Sequence, residues 1–257
     1  MKVSIITVCF NSREYIRQTI ESVLNQSYKN IEYIIIDGGS TDGTVAIVKE
    51  YERLFSGRLK WVSEKDNGIY DAMNKGIELA TGDIIGILNS DDWYENSAIE
   101  EVVKYAVEDE IIFGNSMLVS DTEKILSVPH KNYIDYTLTK GMPFCHQSAF
   151  IPKSIYNQIG KYDIKFNIVA DYDFIYRCIE GNVRFVYIDS ILANFRLGGI
   201  SDRKYLKSIV QNSKVRLRHK PRYVAETVRI INYSTRAIVF KYIKSIKRLT
   251  IKSQVLK

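Results

Sequence analysis

The sequence predicts an α/β protein: a mostly parallel sheet with helices on both faces, followed by a basic helical extension. Three observations predict it. Apolar, β-rich runs alternate with stretches of helical periodicity over the first hundred residues. Polar and acidic residues recur at the carboxyl ends of the β-rich runs. The charge divides sharply, with net −8 over residues 1–201 and net +14 over 202–257, together the +6 of the whole chain. An acidic body with a basic tail suggests chemistry in front and anchoring behind.

Each element can be justified in order. KVSIITVCF is rich in β-branched residues and reads as a first strand. REYIRQTIESVLNQ puts Tyr15, Ile16, Thr19, Ile20, Val23 and Leu24 on one helical face. NIEYIIID is a second strand. TDGTVAIVKEYERLF is a second helix, with Thr41 or Asp42 able to cap it. RLKWVSE is a third strand, IYDAMNKGIELAT a third helix stopped near Gly82, and DIIGILNS a fourth strand. WYENSAIEEVVKYA reads as a further helix that Asp91 or Asp92 could cap. Such βαβ units imply parallel pairing, and parallel sheets bind ligands beyond the carboxyl ends of their strands. Asn11, Asp37, Glu64, Asp66, Asn89, Asp91 and Asp92 all fall there. Four strand ends agree on one edge as the site.

Composition bounds the class. The chain has 257 residues, 46% hydrophobic and 26% charged, which is ordinary for a globular protein. Its three cysteines, Cys9, Cys145 and Cys178, lack metal-ligand spacing and read as reduced, mostly buried thiols in a reducing, cytoplasmic setting. MKVSIITVCF runs into NSREY without a small-residue cleavage site, so it is expected to be a strand and not a leader. No run reaches the ~20 apolar residues of a membrane-spanning helix.

The acids carry the chemistry. Asp37 ends a strand and precedes two glycines, where a ligand can approach the backbone and a carboxylate can accept from a base or ribose. Neither the dinucleotide nor the P-loop glycine fingerprint is present. Asp91 and Asp92 close a buried strand as adjacent carboxylates, a costly arrangement unless something binds them. They suit Mg²⁺ or Mn²⁺, which is typically held by one or two carboxylates together with substrate phosphates and water.

Four segments in consistent order, SIITVCFN, IDGGSTDGT, NKGIELATGDIIGILNSDD and ADYDFIYR, resemble family 2 glycosyltransferases of the GT-A fold over about residues 3–200. WVSEKDNGIYDAMNKGI and MPFCHQSAF are similar to bacterial members that build exopolysaccharide or O-antigen units. The resemblance implies that Asp37, the backbone around Val8 and Phe10, and the neighbouring Asp66 and Asn74 bind the nucleotide. It implies that Asn89-Ser90-Asp91 matches the D-x-D motif, with Asp91 and Asp92 at the metal and diphosphate, and that Asp171 is the general base of an inverting transfer. Asp173 and His146 are weaker acceptor-side candidates, and Asn89 a donor contact. There are departures. Asn89 replaces the usual first Asp, Met73 a frequent arginine, and Leu197 a histidine that reaches the metal in some members. The implied domains are a catalytic 1–201, with a nucleotide half to about 110 and an acceptor half from 111, and the extension 202–257.

The extension has its own pattern. Val224, Val228, Ile231, Ile238, Tyr242, Ile246 and Leu249 share one helical face, and Arg222, Arg229, Arg236, Lys244, Lys247 and Arg248 share the other. A basic amphipathic helix over 222–252 suits an anionic membrane surface and a lipid-linked sugar acceptor, which would make the protein peripheral on the inner face of the cell membrane. No stacking platform points to nucleic acid. Two alternatives differ in class. A sugar-nucleotide nucleotidyltransferase would need a glycine-rich lysine loop, which CFNSREY does not offer. A membrane- or polyanion-binding adaptor with an inactive domain would leave Asp37, Asp91, Asp92 and Asp171 without a role.

Overall fold

A computed structural model of the chain describes residues 1–198 and 205–219. The chain divides into two units, Met1–Gly199 and Ile200–Lys257. The first holds the sheet. Its parallel half is β1 (Val3–Cys9), β2 (Ile31–Asp37), β3 (Leu59–Ser63) and β4 (Ile84–Asn89), in spatial order β3-β2-β1-β4. The connections are α1 (Ile16–Leu24), α2 (Thr44–Glu52) with a 3-10 turn at Arg53–Phe55, and α3 (Ile69–Leu79). β1 and β2 are buried along their whole length, as both faces of a helix-covered parallel sheet must be. Each fully buried isoleucine there contributes about 1.5–3 kcal/mol of transfer free energy.

The register follows from the apolar runs. Val8 of β1 lies between Ile36 and Asn89, so the carboxyl ends of β1, β2 and β4 come level. One face carries Ile5, Tyr33, Ile35 and Leu88 into a core with Ile16, Ile20 and Val48 of α1 and α2. The other is covered by α3, which packs on β1 and β2. Gly76 allows this approach, because a Cβ there would overlap the Ile6 side chain.

The second half of the sheet departs from the mostly parallel plan. It contains β5 (Trp93–Tyr94), β6 (Glu110–Val119), β7 (Lys124–Ser127), β8 (Ala149–Pro152) and β9 (Arg184–Arg196). Only β6 and β9 pair in parallel; β4–β8, β6–β8, β6–β7 and β5–β9 are antiparallel. Trp93-Tyr94, expected to open a helix, instead pairs with Asn194 and Ala193, and the helix α4 starts only at Ala98 (Ala98–Tyr105). The remaining helices of this unit are α5 (Tyr133–Thr139), α6 (Lys153–Ile159) and α7 (Ala170–Glu180).

In the second unit, α8 (Tyr205–His219) is described. The basic amphipathic segment 222–252 lies outside the described residues. Among the described residues, no helix is long and apolar enough to cross a membrane. Cys9, Cys145 and Cys178 are free thiols, and burial raises the pKa of each, to about 12 for Cys145 and Cys178.

Candidate active site

The loops after β1, β2 and β4 are tied into one edge by short polar bonds. Asn11, held at φ 50°, donates its N–H to Ser40 Oγ (2.7 Å) and accepts from Thr41 N at 3.0 Å. Ser12 Oγ lies 2.7 Å from Ser90 Oγ. From α1, Thr19 Oγ1 is within 2.9 Å of Ser90 O and 2.7 Å of Asp92 O. The helix thus fixes the loop that carries the acid pair. Asp42 accepts from Thr44 N and Arg13 N (3.0 Å each), so it stabilises the start of α2 as expected.

Asp37 sits at the end of β2, buried. Its carboxylate accepts from Gly39 N (3.1 Å), Ser40 N (2.9 Å) and Ser63 Oγ (2.7 Å), and from Ser40 Oγ. Burial alone would raise its pKa; these donors outweigh it and hold the carboxyl below the usual range. Asp37 is therefore ionised and shapes the loop. Beside it, a Cβ on Gly38 would lie 2.9 Å from Asp66 Oδ2 and 3.4 Å from the Phe10 ring. Phe10, Gly38 and Asp66 thus form one wall. Phe10 is 64% exposed, an unusual position for a large aromatic. Asp66 Oδ1 also takes Lys75 Nζ at 2.7 Å.

Val8 is 4% exposed, so only its main chain could reach a ligand, and the main chain is the part the resemblance implicates. One expectation needs correction here. Asn74 is tied to the scaffold and not offered to the nucleotide wall: its Nδ2 donates to Tyr162 O (2.9 Å) and its Oδ1 accepts from Tyr162 N (3.0 Å), which holds the amide against that main chain. Met73, near the expected base, is buried in the core.

The acid pair separates. Asp91 is half-buried at the edge, and its carbonyl accepts from Arg196 Nε at 3.2 Å. Asp92 turns inward. Its Oδ2 accepts from Gln147 Nε2 (2.5 Å) and its Oδ1 from Arg196 N (2.9 Å). Burial raises its pKa to about 8 and the Asp91 charge adds to this, against the pull of the Arg196, Gln147 and Asn89 donors. With both oxygens engaged inside the fold, Asp92 leaves the expected metal pair and becomes an anchor for the loop. Asn89 Oδ1, by contrast, is buried with no hydrogen-bond partner among the described residues. A carboxylate and an orphaned amide oxygen fit a hard cation that keeps phosphate and water ligands. Among the described residues no cluster of three or more His, Cys, Asp or Glu could hold a metal alone.

On the acceptor side, Asp171 stands in the first turn of α7. Its Oδ1 is 2.8 Å from Tyr70 OH, and its Oδ2 is 3.6 Å from His146 Nδ1. His146 opens a 3-10 turn, His146–Ser148, and burial lowers its pKa, so it is neutral near pH 7 despite the opposing Asp171 and Asp91 charges. With Asp171, His146 lines a small cavity walled by Ile87, Met142, Tyr156 and Phe174. Asp173, expected on the acceptor side, is fully buried and takes Arg177 Nε at 2.9 Å. Arg177 passes that tie on to Ile159 O and Lys161 O, both at 2.7 Å. One helical turn thus sends Asp171 to the site and Asp173 to the scaffold.

Tyr70, Gln147 and Arg196 were not singled out by the sequence, yet each touches a site acid. Arg196 is also held against two rings, 4.6 Å from Tyr15 and 5.1 Å from Trp93, with its NH2 group 2.8 Å from Gln18 Oε1. FRLGG carried the only signal, an arginine at the end of a β-rich run.

The family described as Glycosyl transferase family 2 matches residues 4–169. The chain belongs to glycosyl transferase family 2. It is an enzyme that transfers glycosyl groups, which removes the nucleotidyltransferase and inactive-adaptor readings. A PGL/p-HBAD biosynthesis glycosyltransferase of Mycobacterium bovis is 28% identical over 225 residues, 84% of this chain and 86% of that protein. An uncharacterized glycosyltransferase of Mycobacterium tuberculosis is 37% identical over 186 residues, 68% of each. Among solved structures, a 1–349 portion of S. aureus TarS with UDP-GlcNAc aligns with TM-score 0.65 at 17% identity, covering 84% of this chain and 67% of that one. The mannosyltransferase PcManGT of Pyrobaculum calidifontis, with GDP-Man and Mn²⁺, aligns with TM-score 0.66 at 16% identity, covering 84% and 64%. The chain spans 40% of the longer TarS chain. These likenesses establish the GT-A fold.

Proposed function

We propose that this enzyme is an inverting transferase that moves a sugar from a nucleotide-diphospho-sugar to a hydroxyl of a glycan or lipid-linked sugar, in the assembly of a bacterial surface polysaccharide. UDP-sugars are the favoured donors. The observation that carries this reading is one short turn whose adjacent residues each contact a different acid. Gln147 bonds the acid motif at Asp92, while His146, the adjacent residue, faces Asp171. A carboxylate within reach of a donor site is what a single displacement needs.

The steps follow from the residues. Phe10, Gly38 and the loop held by Asp37 receive the nucleotide. Asp91, with Asn89 Oδ1, would hold a divalent cation, Mn²⁺ or Mg²⁺; when bound, such an ion offsets the charge of the diphosphate. The acceptor oxygen attacks the anomeric carbon from the face opposite the diphosphate. The bond from that carbon to the diphosphate breaks, and its electron pair leaves with the diphosphate. Asp171 takes the acceptor's proton. The mannosyltransferase structure with GDP-Man and Mn²⁺ and the TarS structure with UDP-GlcNAc support this donor and metal class. The charge pattern of 222–252 supports contact with an anionic membrane surface, where a lipid-linked acceptor would lie.

The test is calorimetric titration of UDP, GDP, dTDP and CDP into the wild type and Asp91→Asn, with and without Mn²⁺. Metal-dependent binding of one nucleotide, lost in Asp91→Asn, is the expected result. Equal binding with and without Mn²⁺ would sink the metal's role. No binding of any nucleotide would sink the donor assignment.

A further inference from the structure

The turn Cys145–Ser148 is pinned at every residue. Gln147 Nε2 holds Asp92, and its Oε1 accepts from Cys145 Sγ. Ser148 Oγ lies 2.8 Å from Cys145 O and 2.9 Å from Gly114 O, on β6. The imidazole of His146 is carried on this rigid support. Its Nδ1 lies 3.6 Å from Asp171 Oδ2, while Nε2 is buried with no partner among the described residues.

We infer that His146 is a positioning residue for Asp171, donating Nδ1–H to Oδ2 and fixing the plane of the carboxylate that receives the acceptor's proton. An ionised carboxylate only accepts, so the nitrogen facing it must carry the hydrogen. The separation is about half an ångström longer than a formed bond, and such bonds are commonly long before substrate binds. Tyr70 cannot do this alone. Its single hydroxyl proton is shared between Asp171 Oδ1 and Ile168 O, both at 2.8 Å. When Tyr70 bonds Ile168 O, His146 is the remaining side-chain donor facing the Asp171 carboxylate among the described residues. Because the same turn grips Asp92, it also sets the distance between the base and the donor-side acids. A displacement of an ångström at a reacting group is enough to cost a large factor in rate.

The inference rests on Asp171 being the base, and the experiment separates the two. Long-range proton–nitrogen NMR of the full chain reads the tautomer of its three histidines, with His146→Asn identifying the His146 signal. The expected result is an Nδ1–H tautomer in the wild type that is lost or mixed in Asp171→Asn. An Nε2–H tautomer in the wild type overturns the inference without using turnover at all. Kinetics give the second readout, with the nucleotide-sugar chosen by titration. His146→Asn places an amide nitrogen where Nδ1 was and should stay within about threefold of wild type, whereas His146→Gln should lose about 10- to 100-fold in kcat with donor KM within about twofold. Equal effects of Asn and Gln overturn the inference. Near-wild-type turnover of Asp171→Asn would instead remove the base assignment beneath it.

Discussion

Both edges of the parallel sheet bury carboxylates, and Glu32 at one is treated in the opposite way to Asp92 at the other, where Asp37 is donor-saturated like Glu32. At the amino edge, Glu32 accepts from Ser4 Oγ at 2.5 Å, Thr81 Oγ1 at 2.8 Å, Gly82 N at 3.0 Å and Thr81 N, and pairs with Lys2 at 3.0 Å and Lys60 at 3.5 Å. Burial pushes its pKa up, yet these donors prevail and bring it down to about 2. At the carboxyl edge, burial and the neighbouring Asp91 charge prevail over three donors and raise Asp92 to about 8. The amino edge is saturated with donors and two cations. The carboxyl edge keeps acids closer together than stability alone would choose, and leaves Asn89 Oδ1 without a partner among the described residues. The difference teaches where the fold is being held together and where it is being kept ready for a charged ligand.

The largest expected effect breaks the carboxyl edge without touching the fold. Asp171→Asn keeps the shape of the side chain but cannot take a proton. Transfer should fall by about 10²- to 10⁴-fold. Thermal unfolding should shift little, because Asp171 is a half-buried acid of α7 whose carboxylate meets only Tyr70 and His146 among the described residues. Turnover and a melting curve on the same preparation check both halves. A large drop in melting temperature would mean that the carboxyl edge is also structural.

Glu32→Gln is the counterpart at the amino edge. Turnover per folded molecule should be unchanged, since the site is at the other end of the strands. Stability should fall by about 3 kcal/mol, the free energy corresponding to a drop from 4.5 to about 2. The pH dependence has a definite sign. A carboxyl whose folded pKa is depressed adds stability that is fully present above its unfolded value of 4.5 and is lost as pH falls toward about 2. The difference between wild type and Glu32→Gln in urea unfolding should therefore be full at pH 6 and shrink steadily below pH 4.5. Asp92 has the opposite slope: its raised pKa makes the folded state progressively less favoured as pH rises from 3.8 to about 8. A constant gap between wild type and Glu32→Gln at every pH would show that packing, not charge, is what Glu32 supplies.

The same contrast explains what could be read from the chain. Strands β1, β2 and β4 and helices α1 to α3 were legible because burial on both faces leaves continuous apolar runs and one helical stripe between them. The edge that gathers Asp37, Asp66 and Asp91 followed directly. The second half was not legible in the same way. WYENSAIEEVVKYA has unbroken helical periodicity, yet Trp93-Tyr94 is drawn off by a strand a hundred residues later. Asn74 and Asp173 are polar residues on helices near the site, and sequence does not distinguish a polar group aimed at a ligand from one aimed at buried main chain or a buried arginine. Tyr70 and Gln147 were invisible for the same reason: their partners lie 101 and 55 residues away.

The smallest effect sharpens the comparison at a single side chain. Phe10 is the most exposed large apolar residue among the described residues, and it borders Gly38 and Asp66 at the carboxyl edge. An aromatic ring that gains little from burial has little to lose, so Phe10→Ala should change stability by no more than about 0.5 kcal/mol. If the ring stacks on the nucleobase, nucleotide binding should weaken by about 1 kcal/mol, roughly fivefold in Kd, the size of an aromatic contact made beyond simple area burial. Phe10→Tyr should restore it. Calorimetric titration of the selected nucleotide, alongside urea unfolding, reads both quantities. Unchanged affinity with unchanged stability would leave Phe10 outside the site, and the nucleotide wall would then rest on Gly38, Asp66 and the loop that Asp37 holds.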